Sequence, residues 1–366
     1  MKRVLALLLV AVFAVMCFSG CADDGNMFVI GATGPLTGDE MSYGVSVNQG
    51  ANIAVDEINA AGGLNGNKFK FIMKDDKATA RGAASAYDSL CDEGMQVSIG
   101  SVTSGSCEVF ADKASADRVF VLTPTASSAS VIEKGDNIFC ACFDNTDQGV
   151  LAAEELTKTY KNIGCIYDAD DTYSTGIWKA FDAKMKELGV AYALHTFNAD
   201  NKKDFSAQVD ALKQCDVIFL PIYYAEAGLI AKSCSAKGIN AALFGCDGLD
   251  GVAGQVDVTV KNKISYIAPF DINSTQDTVV SFVSKYKEKY GVEPDQFAVN
   301  SYDAVYAIYS AMKAANVKDV KIPASDLCDI LIKTFRSPAF SYKGVTGEMT
   351  WQKNGACNKK LIIVDA

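Results

Sequence analysis

The stretch "IGSVTSGSCEVF", residues 99–110, joins an apolar run to a helical one through glycines and hydroxyls. Just before it, "QVSIG" is short and apolar enough for a buried strand. Just after it the pattern is helical, and "RVFVLTPT" brings the next strand. A strand feeding a helix through such a loop is the unit of an α/β fold, and its repetition implies parallel pairing with right-handed crossovers. The junction also has a chemistry of its own. A helix start offers unpaired N–H groups and a partial positive charge, and small hydroxylated residues add donors without blocking approach. Thr103, Ser104 and Ser106 are therefore candidates to receive a carboxylate. A serine at such a place also serves as a plain helix cap.

The unit repeats on both sides. "MFVIGATG" reads as a strand, and Val47, Ala51, Ala54, Val55 and Ile58 recur at helical spacing before Gly62-Gly63. "KFKFIMKDD" alternates as a strand, and "ARGAASAYDSLCDEG" is a helix with a glycine stop. Beyond residue 150 a second set runs helix, strand, helix, strand from "VLAAEELTKTY" to "AALFGCDG". Three helical stretches follow, then "GVTGEMTW" and "KKLIIVDA" return as strands. Two α/β sets with a tail that contributes to both predict two Rossmann-like lobes with parallel central sheets, several crossovers and a cleft between them.

The 366-residue chain suits two lobes, and its formal charge of −10 argues against a nucleic-acid surface, which is built from Lys and Arg. No phosphate loop G-x-x-x-x-G-K-[ST] occurs, and "GCDGLDG" does not fit G-x-G-x-x-G. Ser104 does not sit in a G-x-S-x-G elbow, and His195, the only histidine, is a thin supply of base for serine catalysis. Neither a Cys/His metal site nor a cofactor site is expected. Of the 12 cysteines, Cys140, Cys142, Cys165 and Cys215 lie in or beside strand-like runs, where a reduced thiol packs as a small hydrophobe.

The first 20 residues, with Lys2 and Arg3 ahead of an apolar run, have the layout of an export signal. Its ending "FSGC", residues 18–21, resembles a bacterial lipobox with Phe18 in place of the usual leucine. That implies lipidation of Cys21, a tether over residues 21–26, membrane attachment through the lipid only, and an extracytoplasmic location. Removal of Lys2 and Arg3 with the signal takes the formal charge to −12.

"GATGPLTGDEMSYG", "GANIAVDEINAAGGLNGNKFKFIMKDD", "IGSVTSGS", "VLTPTAS", "YDADDTYSTG", "LFGCDG", "KYKEKYGVEPDQFAVNSYDAVY" and "GVTGEMTW" succeed one another along the chain. Together they resemble the substrate-binding lipoproteins of branched-chain amino-acid ABC importers, the type I periplasmic binding fold. The resemblance implies an N-terminal lobe of residues 27–142 plus 272–335 and a C-terminal lobe of 143–271 plus 336–366. It further implies no enzymatic activity, an amino acid captured between the lobes, and delivery to a membrane permease.

Carried over residue by residue, the resemblance puts Ser104 on the ligand carboxylate and Thr125 and Ser127 on carboxylate and ammonium. Tyr173 closes over the ligand from the second lobe, and Asp247 faces the ammonium. Tyr43 lies near the side chain, and Tyr223 or Tyr224 forms the far wall. Asn145 stands where many relatives have aspartate, which leaves Asp247 as the main anionic partner. Asp247 in "DG" is also an ordinary turn residue. A ligand-sensing module of the same fold, a binder of a small amide or carboxylate, and an α/β hydrolase or dehydrogenase are the other readings.

Overall fold

The computed structural model describes residues 27–366; the expected export signal, lipidation at Cys21 and tether fall outside the described residues. In chain order the first half runs β1 (Met27–Gly34), α1 (Met41–Ala60), β2 (Lys68–Asp75), α2 (Ala80–Asp92), β3 (Val97–Ser101), α3 (Ser104–Ala116), β4 (Phe120–Thr123), α4 (Ala129–Ile132) and β5 (Ile138–Cys140). Then come α5 (Asn145–Thr159), β6 (Ile163–Asp168), α6 (Thr172–Leu188), β7 (Ala193–Phe197), α7 (Ser206–Ala211), β8 (Val217–Leu220), α8 (Tyr224–Ala236), β9 (Ala242–Gly245) and β10 (Ile264–Ala268). The tail is α9 (Asp277–Tyr290), α10 (Gln296–Ala314), α11 (Ala324–Phe335), β11 (Tyr342–Gly344), β12 (Gly347–Trp351), β13 (Cys357–Asn358) and β14 (Ile362–Asp365).

The first lobe is a five-stranded parallel sheet of order β2-β1-β3-β4-β5. Every residue of β3, β4 and β5 is buried, as a parallel sheet covered on both faces requires. The second lobe is a six-stranded sheet of order β14-β10-β9-β8-β6-β7, parallel except where β14 runs against β10. The alternation read from the sequence passes over β5 and β10. β5 spans only three residues and β10 carries Ser265 and Tyr266 in its middle, so neither advertises itself as an apolar run.

Helices α1 and α10 pack along the first lobe through Ala51, Ala54, Ala304 and Ala307, all fully buried. Their approach depends on Gly50: a Cβ there would fall 2.0 Å from the Ala298 carbonyl oxygen. The chain passes between the lobes after β5, after β10 and before β14, so three segments form the hinge.

The expectation that residues 336–366 complete the second lobe is corrected for most of that stretch. Only β14 joins the second sheet; β11, β12 and β13 form a small antiparallel sheet of their own. That sheet leans on the first lobe, where the Trp351 indole packs edge-on against Phe335 at 4.6 Å and donates to the Cys140 carbonyl at 2.7 Å. Burying an aromatic ring with its N–H satisfied outweighs the strand-like pattern that suggested continuation into the other sheet.

Lys359, between β13 and β14, ties the hinge together. Its Nζ donates to the Ala141 carbonyl and to Asn300 Oδ1, both at 2.7 Å. Lys359→Met keeps the bulk and removes both bonds; the expected loss is about 2 kcal/mol of unfolding free energy, read from the urea midpoint. A midpoint equal to that of the parent chain would show that the two bonds contribute nothing.

The ten described cysteines are all unpaired, eight of them buried. Cys107, Cys165, Cys234 and Cys328 are held as small apolar residues in the core, and burial pushes the Cys234 thiol up to about 11. His195 stands on β7, the edge strand of the second sheet.

Candidate functional site

The end of β3 bends at Gly100, which takes φ +70°, a left-handed conformation open to glycine, and whose N–H donates to Ser98 Oγ at 2.8 Å. That turn aims the start of α3 across the carboxyl edge of the first sheet, where ligands of open α/β sheets bind. Thr103 occupies the N-cap without a side-chain capping bond. Ser104 does not cap either: it is 2 % exposed, and its Oγ accepts from the Ser128 N–H at 3.3 Å. The first-turn N–H groups of α3 thus receive no capping bond from the Thr103 side chain. Thr125 Oγ1 donates to the Val102 carbonyl at 2.7 Å and locks the end of β4 to this turn.

The second lobe supplies the opposite charge. Asp247 opens the short 3-10 turn after β9 and is 5 % exposed. Its Oδ1 accepts from the Tyr173 hydroxyl at 2.6 Å, and its N–H donates to Gln148 Oε1 at 3.0 Å. The Tyr173 oxygen in turn accepts from the Gly248 N–H at 2.8 Å. Burial pushes the Asp247 carboxyl up to about 6, with the Tyr173 and Gln148 bonds pulling the other way. Such a carboxylate gains most from a cation brought beside it.

Ser104, Thr125, Tyr173, Asp247 and Tyr43 line one cavity between the lobes, together with Tyr223 and Phe297, with only about 10 Å³ of free space inside it. That is room for about one water, so the walls must part to admit a ligand. Tyr43 bridges the halves: it reaches from α1 to donate to the Gly248 carbonyl at 2.5 Å and accepts from the Tyr224 N–H at 3.2 Å. From the start of α10, Gln296 Nε2 donates to the Asp247 carbonyl at 3.1 Å and the Gln296 N–H donates to Asp250 Oδ2 at 2.9 Å. At the rim Lys202 Nζ lies 3.7 Å from Asp39 Oδ2 and 3.6 Å from Glu226 Oε1. These cross-lobe bonds describe a closed cleft.

Three expected residues stand one layer back. Ser127 Oγ donates to Asn145 Oδ1 at 2.7 Å, and Asn145 Nδ2 donates to the Tyr173 carbonyl at 3.1 Å. The pair clamps the first crossover and positions Tyr173, so it acts on the cavity through another residue. Tyr224 packs edge-on to Tyr43 at 4.8 Å, with its hydroxyl on the Asp39 carbonyl at 2.6 Å, while its neighbour Tyr223 lines the cavity. Phe297, missed from the sequence, stacks on Tyr43 at 4.2 Å. The signal for it is the aspartate before it: Asp295 caps α10 through the Ala298 N–H at 2.9 Å and so fixes Phe297 in the first turn.

The start of α3 from the first lobe and the Asp247 carboxyl from the second thus border the same cavity. Among the described residues, no group of three or more His, Cys, Asp or Glu side chains is placed to hold a metal.

A periplasmic binding protein family model matches residues 28–364. A curated relative, Leu/Ile/Val-binding protein homolog 1 of Brucella suis biovar 1, is 28 % identical over 357 residues, covering 94 % of this chain and 91 % of that protein. Among solved structures, the branched-chain amino acid transporter substrate binding protein LivJ of Streptococcus pneumoniae, in complex with isoleucine, superposes with a TM-score of 0.78 at 26 % identity; 93 % of this chain and 100 % of that one are covered. A solute binding protein of an ABC transporter from Rhodopseudomonas palustris BisB5, in complex with 3,4-dihydroxybenzoic acid, shares the fold at TM-score 0.82 and 16 % identity, with 93 % of each chain covered. With nearly all of its described length matched by the family model, this chain belongs to the periplasmic binding protein family, as a type I substrate-binding protein of the leucine/isoleucine/valine-binding kind.

Proposed function

We propose that this protein is the extracytoplasmic binding component of an ABC importer that captures an α-amino acid in the interlobe cleft and presents it to a membrane permease. One observation carries the reading. A bare helix start with Thr103 and Ser104 from the first lobe and the buried Asp247 from the second face the same small cavity. A zwitterion meets both, and a buried charge without a partner costs several kcal/mol. The cross-lobe bonds from Tyr43 and Gln296 form only when the halves meet. The ligand therefore biases the hinge by its differential affinity for the closed form, and the closed shape is what the permease reads. A lipid on Cys21 would hold the protein at the membrane surface.

Purified protein is expected to show a ligand-dependent rise in melting temperature with at least one α-amino acid, since binding to the folded state alone stabilises by mass action. A flat response across the amino acids, with a shift for benzoate, a hydroxybenzoate or a small uncharged amide, would reject the zwitterion.

A further inference from the structure

The cavity contains three tyrosines, and their hydroxyls have different fates. Tyr43 Oη is used twice by the protein, on the Gly248 carbonyl and the Tyr224 N–H. Tyr173 Oη is used twice, on Asp247 and the Gly248 N–H. Tyr223 Oη is out of solvent and has no hydrogen-bond partner among the described residues. Its ring cannot turn away easily, being stacked on Tyr173 at 5.0 Å and 11° and set edge-on to Tyr43 at 5.8 Å. A buried hydroxyl left unpaired costs about 1–3 kcal/mol. The cavity wall thus holds a polar atom that an aliphatic side chain leaves stranded.

The charges around this hydroxyl narrow the partner. Asp171, Glu40 and Asp247 all act on Tyr223 and raise its pKa further above the ordinary phenol value, after burial itself. The group is therefore an un-ionised phenol, able to donate and to accept. A side-chain carboxylate in this place would meet three acidic groups.

We infer that Tyr223 selects the ligand side chain, and that the preferred ligands are small α-amino acids with a neutral hydrogen-bonding side chain, of the threonine, serine and asparagine class, over their aliphatic isosteres. This rests on the amino-acid reading of the same cavity and adds to it the side-chain chemistry. A site built to hydrogen-bond a ligand hydroxyl discriminates strongly against the analogue that lacks it, because its own polar atom is then unpaired.

Threonine and valine have nearly the same shape and differ in that hydroxyl, so they are the probes. Isothermal titration of the protein is expected to show threonine bound at least tenfold more tightly than valine, and asparagine more tightly than aspartate. Tyr223→Phe keeps the ring and its stacking and should bring the threonine-to-valine ratio within about threefold, chiefly by improving valine. Valine binding as tightly as threonine, aspartate binding more tightly than asparagine, or an unchanged ratio in Y223F each overturns the inference while the amino-acid reading stands. Binding of none of the four, nor of leucine or isoleucine, removes the amino-acid reading and this inference with it.

Discussion

Asp247→Ala is expected to abolish most amino-acid affinity, by about 3 kcal/mol or more, which is a hundredfold or greater rise in Kd. The size follows from burial. Asp247 is 5 % exposed and is the one acidic side chain among the residues lining the cavity. The alanine variant also releases the Tyr173 hydroxyl, which loses its 2.6 Å bond and with it the position of the ring that covers the ligand. Asp247→Asn separates the two effects. It keeps an acceptor for Tyr173 and removes only the charge, so a comparable loss in D247N assigns the effect to the ammonium. Titration of both variants with the amino acid that stabilises the parent chain most is the measurement. An unchanged Kd in D247A would reduce Asp247 to a turn residue and leave the zwitterion without its cationic half-site.

Stability is expected to fall by roughly 3 kcal/mol or more between pH 5 and pH 8. Burial raises Glu226 to about 7, with Lys202 only partly offsetting it, and raises Asp247 and Asp171 each to about 6. Asp250 and Asp295 lie across the lobe junction, joined by the 2.9 Å bond from the Gln296 N–H to Asp250. Burial raises both, and the Asp250 charge raises Asp295 further. An acid whose folded pKa exceeds its unfolded one binds its proton more tightly in the folded state. Its contribution is therefore complete below about pH 4 and is lost as pH rises through 6 to 7. Carboxyls held below their usual range, such as Glu57 under Lys285, Tyr302 and Tyr306, lose their contribution as pH falls below about 4. The two trends together put the maximum in mildly acid solution. Urea midpoints at pH 5, 6.5 and 8 measure it, and a midpoint at pH 8 equal to or above that at pH 5 contradicts the prediction. Asp295→Asn should flatten the dependence and stabilise the protein at pH 8, because asparagine still caps α10 while no charge remains to desolvate.

The degree to which the site was legible varied with how local its causes are. Ser104 and Thr125 belong to strand-end loops whose glycine and hydroxyl content is visible in a dozen residues. Asp247 became a candidate through its place in a resembling succession of motifs, since "GCDG" alone reads as a turn. Tyr223 and Tyr224 are adjacent at the passage from β8 into α8, and a one-residue difference in where the helix starts decides which ring enters the cleft. Ser127 and Asn145 became candidates through the resemblance alone, yet they satisfy one another across 18 residues of chain.

The sequence by itself determined the two α/β lobes, the hydroxyl-rich helix start after β3 and the scarcity of any base or phosphate loop, because these depend on short-range patterns of apolar, glycine and hydroxyl residues. Tertiary structure alone decided that β11 to β13 lean on the first lobe, that Phe297 joins the cavity, and that of three tyrosine hydroxyls only the one on Tyr223 is left over. The reason is physical: hydrogen bonds such as Tyr43 to Gly248 and Tyr173 to Asp247 join residues 205 and 74 positions apart, and which polar atom remains unpaired is settled only when the lobes close.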